Sequence, residues 1–107
     1  MQYKEDRLPP EVGRLVIALC GDYDRRESIL RREAAEEDVL ALYRALNRGI
    51  DRAVSEVCEV GIRTQIRRDI GDRRGARRSP IICISEGTYK RRKRAAQFRI
   101  AKELRLL

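Results

Sequence analysis

"REAAEEDVLALYRALNRGIDRAVSEVCEV", residues 32–60, decides the fold class. Its apolar positions Val39, Leu42, Tyr43, Leu46, Ile50, Ala53, Val54 and Val57 recur at steps of three and four. That is the period of one face of an α-helix, not the alternation of a strand. Glu33, Glu36, Glu37 and Asp38 gather where the first turns would lie, as the positive end of a helix prefers. A lone Gly49 costs about 1 kcal/mol relative to alanine, too little to overrule such a pattern. A long amphipathic helix is therefore expected over residues 33–58.

Working upstream, Pro9-Pro10 and Glu11 suit a helix start, because proline tolerates the first turn and an acid favours its positive end. Val12, Leu15, Val16, Leu19, Tyr23, Ile29 and Leu30 continue a helical stripe, with Gly21-Asp22 able to bend or interrupt it. The spacing predicts a first helix over 10–31, packed as an antiparallel hairpin on the second. The core of that hairpin closes within one chain or is extended by a second copy in a homo-oligomer through residues 33–58.

Downstream, Ile62, Ile66 and Ile70 form one narrow stripe on a short helix over 60–70, ended by Gly71. Residues 71–79 hold five charges and nothing apolar larger than alanine, and read as an exposed loop. "SPIICI", residues 79–84, is either a short turn capped by Ser79 or a brief strand, and its length does not separate the two. A last helix is expected over 86–105 with Ser85 as its cap. Tyr89, Ala96, Ile100 and Leu104 would be buried, with Phe98 and Ala101 flanking. With no Trp and 5% aromatic residues, the core must come from small and aliphatic side chains, which suits packed helices. The expectation is an all-α single domain over 1–107, with a helical packing module at 10–58 and a second half at 60–107.

The net charge of +8 is unevenly spread. Residues 1–60 carry ten Lys/Arg and thirteen Asp/Glu, whereas residues 61–107 carry fifteen and four. A balance of −3 followed by +11 suggests a packing module followed by one for polyanions. Most of the later cations are arginines, whose planar fork suits phosphates and guanine edges. Cys20, Cys58 and Cys83 lie far apart, and there is no histidine, so four-ligand zinc spacing is absent. No metal or cofactor is expected. An odd cysteine count without a signal-peptide pattern points to the cytoplasm, and no apolar run reaches the ~18 residues of a membrane span.

"CISEGTYKRRKRAAQFRIAKELRL", residues 83–106, carries the sharpest chemistry. Five consecutive cations, Lys90 to Arg94, take up more than one helical turn, so they cannot share a face. Lys90, Lys93 and Arg94 are expected to cluster, with Arg91 towards Glu86 and Arg92 nearer the buried stripe. Glu86 is the only acid before Glu103, so the run repels itself unless a counter-charge is found, and a phosphate backbone is one. The layout fits helix-turn-helix logic, in which the front of the second helix enters the major groove. Glu86, Gly87, Thr88, Lys90, Arg91 and Arg94 lie early enough to reach base edges or phosphates, while Tyr89 plugs the core. The helix near 60 would support them, and Arg73, Arg74, Arg77 and Arg78 would make a second phosphate contact.

Residues from about 39 to 107 resemble phage and prophage transcriptional regulators of the ArpU/RinA kind, whose C-terminal half is similar to the region-four helix-turn-helix of sigma factors. The resemblance is carried by "SEGTYKRRKRAAQFRIAKELRL": a Ser, a Thr before an aromatic, several cations, then A-x-x-L near the end. It implies that Ser85 caps the recognition helix, that Thr88 and the cations face DNA, and that Ala101 with Leu104 closes the core. It also implies an activator of late phage genes that binds double-stranded promoter DNA, with RNA polymerase as a further candidate partner.

The alternatives belong to other classes. A helical packaging or adaptor protein would use the same basic half without reading sequence. An interaction module would assemble through 33–58 and offer the basic half to an acidic protein. An enzyme fits least, since histidine is absent and "CGDYD" and "GDRRG" lack the pattern of a phosphate-cradling loop.

Overall fold

The structure is a computed structural model that describes residues 7–72 and 84–107. All regular structure among these residues is helical, so the fold is all-α. Five helices follow in order: α1 (Pro10–Gly21), α2 (Tyr23–Arg32), α3 (Glu37–Val57), α4 (Arg63–Gly71), entered through a 3₁₀ turn at Val60–Ile62, and α5 (Glu86–Glu103).

The expected first helix is two helices. The chain leaves α-geometry at Asp22 (φ −97°, ψ 3°), where its N–H still bonds back to Ala18 and its carbonyl already accepts from Arg26. Its carboxylate then ties down the new helix, taking Arg25 Nε at 2.7 Å and Arg26 Nη1 at 3.6 Å. Arg25 holds this carboxyl below the usual carboxylate range.

The start of α3 also differs from the expectation. Glu33 closes α2 in the left-handed region (φ 52°), in a Schellman arrangement with Glu33 N–H on Leu30 and Ala34 N–H on Ile29. Glycine is the usual residue there, which is why a glutamate gave no stop signal. Glu36 stands at the N-cap of α3, and only Glu37 and Asp38 occupy its first turn.

α3 is the axis of the molecule. α2 packs along one side of it, α5 along another, and α1 lies against α4. α5 runs antiparallel to α3, since Arg92 meets Glu59, Arg99 meets Glu56 and Glu103 meets Arg52. One core cluster joins all five helices, with Val16, Ile50, Ile66, Ala96 and Ile100 fully buried at its centre. The Ile62, Ile66, Ile70 stripe is inside as its spacing predicts. The front half of the α3 stripe is not. Val39, Tyr43 and Leu46 are half-buried and outside the cluster, and Leu42 is 55% exposed. Leu15 of α1, also expected inside, is 49% exposed, and Leu104 packs against the core half-buried.

Buried polar groups bolt the helices together. Arg26, 2% exposed, donates to Asn47 Oδ1 at 2.7 Å and to the Leu19 carbonyl at 2.6 Å. Asn47 passes the network on to Glu27 Oε2 at 2.8 Å. Burial lowers the Arg26 pKa from its ordinary value, against the pull of Asp22.

Two helices approach each other closely at a pair of glycines. A Cβ on Gly71 would meet Gly21 N at 2.5 Å and Gly21 Cα at 2.6 Å, both backbone atoms that cannot rotate away. Gly71→Ala is therefore expected to push α4 off α1 at a cost of about 1–3 kcal/mol, as overpacking does. In a thermal melt followed by circular dichroism this is a fall of about 4–8 °C per kcal/mol. Gly61→Ala, with nothing within 4 Å of the new methyl, is the control and should leave the midpoint unchanged.

Candidate nucleic-acid interface

The front of α5 is built by its cap. Ser85 sits in extended geometry (φ −73°, ψ 161°), and its Oγ accepts the Thr88 N–H at 3.1 Å. Its hydroxyl meets Thr88 Oγ1 at 3.0 Å, and Arg91 Nη2 donates to the same Thr88 oxygen at 3.1 Å. Thr88 is thus a half-buried link between the cap and a cation rather than an open side chain.

One turn on, Tyr89 fixes the rotation of the helix. It is 3% exposed, and its hydroxyl donates at 2.5 Å to Asp69 Oδ2 on α4, itself 3% exposed. Tyr89, Ala96 and Ile100 face inward, so the opposite ridge of α5 must face solvent. Lys90, Arg91 and Arg94 lie on the solvent side and are exposed, as are Glu86 and Gly87. Lys90 and Arg94 make no ion pair with any described residue.

The expected cluster of Lys90, Lys93 and Arg94 is therefore redrawn. Lys93 is half-buried, withdrawn beside the inward stripe, and Arg91 takes its place on the ridge. Arg92 is neutralised in a surface ion pair, donating through Nε and Nη2 to both Glu59 oxygens at 3.2 and 3.1 Å. These bonds hold the Glu59 carboxyl below its ordinary range. Arg99 Nε donates to Glu56 Oε1 at 2.5 Å. One cation of the run of five, Arg92, thus finds its counter-charge within the chain, in an acid just past the end of α3. Arg73, Arg74, Arg77 and Arg78 lie outside the described residues, as does most of the "SPIICI" segment.

Two further residues belong to the ridge. Phe98 is half-buried there and Lys102 is exposed, with Nζ 5.7 Å from the Phe98 ring centroid. The spacing Arg91, Arg94, Phe98, Lys102 is a helical row that was legible once the inward stripe had been chosen. Behind α5, α4 supplies Asp69 and the stripe that backs Tyr89, as a supporting helix would. Residues 72–85 separate α4 from α5, a longer connection than the three- or four-residue turn of a compact helix-turn-helix.

Elsewhere, the Arg67 guanidinium stacks 3.7 Å over the Tyr23 ring, and Tyr23 donates to Asp51 at 2.8 Å. Burial pushes the Cys20 thiol up to about 12 and the Cys58 thiol up to about 11. Among the described residues no three His, Cys, Asp or Glu side chains converge as a metal site would need, and no described helix is long and apolar enough to cross a membrane. No family model matches the chain, and searches of curated proteins and of solved structures return no match.

Two outcomes test this description. Tyr89→Phe leaves the buried Asp69 carboxylate without its phenol donor and is expected to cost about 1–3 kcal/mol in urea unfolding. With both thiol pKa values raised, the reactive thiolate is scarce at pH 8. Cys20 and Cys58 are therefore expected to resist iodoacetamide in the folded protein and to react in urea, read by peptide mass mapping.

Proposed function

We propose that the protein binds double-stranded DNA through the exposed ridge of α5 and acts as a transcriptional regulator rather than a catalyst. The observation that carries this reading is the contrast within one run of five cations. Arg92 is paired with Glu59 of its own chain, whereas Lys90, Arg91 and Arg94 project together from the first turns of a helix whose rear is locked into the core. Phosphates would supply the counter-charge this ridge lacks. On this reading α4 would support and α5 insert, as in a helix-turn-helix with a lengthened connection, with Glu86 and Gly87 towards base edges and the cations on the flanking backbone. A regulator of the ArpU/RinA kind, a late-gene activator that contacts RNA polymerase and works in the cytoplasm, is the form of this function that the α5 motif supports. Two copies joined through 33–58 would present two such helices to one site.

A second reading has its own support. Thr88 is occupied by Ser85 and Arg91, and Lys93 is withdrawn, so the ridge is richer in phosphate-seeking charge than in base-reading groups. That favours a packaging or architectural protein that binds DNA without selecting a sequence. Selection from random duplex DNA at ~0.15 M salt separates the readings, because enrichment of one motif requires base contacts while uniform retention requires only phosphates.

The double substitution Lys90→Ala/Arg94→Ala is expected to weaken binding on either reading and to reduce the slope of log K against log salt by about one to two units. Fluorescence anisotropy over a salt series measures it. An unchanged slope would remove α5 from the interface.

A further inference from the structure

The apolar side of α3 continues beyond the part that α5 covers. From Cys58 back to Gly49 that side is filled, and the cover ends where Leu104 folds over Gly49 in the space a Cβ would take. Beyond that point the same side of α3 continues uncovered for two more turns. It presents Ala41, Leu42 and Ala45, all exposed, with half-buried Leu46 beside them. Leu42 at 55% is the most exposed large apolar side chain within any of the five helices.

The charges at the two ends of this strip say what fits it. Asp38 stands exposed at its start and Arg48 exposed at its end, and neither has an ion pair with a described residue. Ten residues of helix hold them about 15 Å apart, so they cannot neutralise each other within one chain. A second α3 laid antiparallel across the strip removes that separation. Leu42 then opposes Ala45 of the second copy, and Asp38 comes beside the second copy's Arg48, twice over by symmetry. A parallel arrangement would set acid on acid and base on base. Self-complementarity of this kind is the signature of an isologous two-fold contact, and the two alanines let the helix backbones approach closely.

We infer that the protein forms an antiparallel homodimer through the Asp38–Arg48 face of α3. The inference narrows the pairing proposed for residues 33–58 and rests on it, but not on DNA binding, so its test contains no DNA. Sedimentation velocity on the full chain, from micromolar concentration to ~0.1 mM, is expected to show a monomer–dimer equilibrium, since a contact of this size gives micromolar rather than nanomolar affinity. Leu42→Glu is expected to weaken dimerisation by at least about tenfold while leaving the circular dichroism melt intact, because its side chain lies outside the core. Asp38→Arg and Arg48→Asp should each weaken it, and the two together should restore it, as the reversed charges again face each other. A wild-type chain that stays monomeric at ~0.1 mM overturns the inference. So does a dimer indifferent to Leu42→Glu, or one that the double reversal fails to restore. If the dimer forms as described and DNA binding is absent, only the DNA reading falls.

Discussion

The hydrogen bond from Tyr89 to Asp69 is the constraint through which the core decides the surface. A helix with a weakly segregated pattern can rotate about its axis at modest cost, since α5 carries charge on most of its sides. A phenol sunk beside a buried carboxylate cannot rotate without leaving that charge unpaired, which is expensive at low dielectric. With Tyr89 in place, Ala96 and Ile100 follow inward and Lys90, Arg91 and Arg94 are carried outward. The identity of the exposed cations is a consequence of packing, not of their own charge.

The two halves of the chain, one near-neutral and one basic, are not separate in space. Glu56 and Glu59 at the end of α3 receive Arg99 and Arg92 of α5, while Arg52 of α3 receives Glu103. The acidic surplus of the first half thus sorts the cations of the second. Those within reach of α3 become internal ties, each of modest worth because it is solvent-exposed. Those beyond the end of α3 remain available. A polyanion would meet the remainder left by this internal pairing.

Close approach is the feature least legible from residue types. Gly21 and Gly71 read as a break and a stop, and each does stand at a helix end. Their contact across α1 and α4 requires knowing which helices are neighbours, and no spacing within either segment records that. Glu33 in a left-handed cap and Asp69 in the core are opaque for the same reason, since each depends on a partner elsewhere in the chain. Thr88 is the instructive case at the candidate site. Its position was legible, yet its hydroxyl is consumed by neighbours at three residues' distance, a competition that helix geometry settles once Ser85 caps the turn.

Periodicity, capping residues and composition by themselves determined the helical class, the long α3, the isoleucine stripe of α4 and the Ser85 start of α5, because these depend on contacts within a few residues. They also determined that most of the charge excess lies in the last half. Only the tertiary structure decided which cations stay free, that the chain does break at Gly21-Asp22 rather than bend, and that the front of the α3 stripe stays outside the core. The C-cap of α5, Leu104, meets α3 at Gly49, and Leu42 two turns earlier is left 55% exposed. The same helical period describes a buried stripe and an uncovered one equally well, and what separates them is whether another helix lies on top.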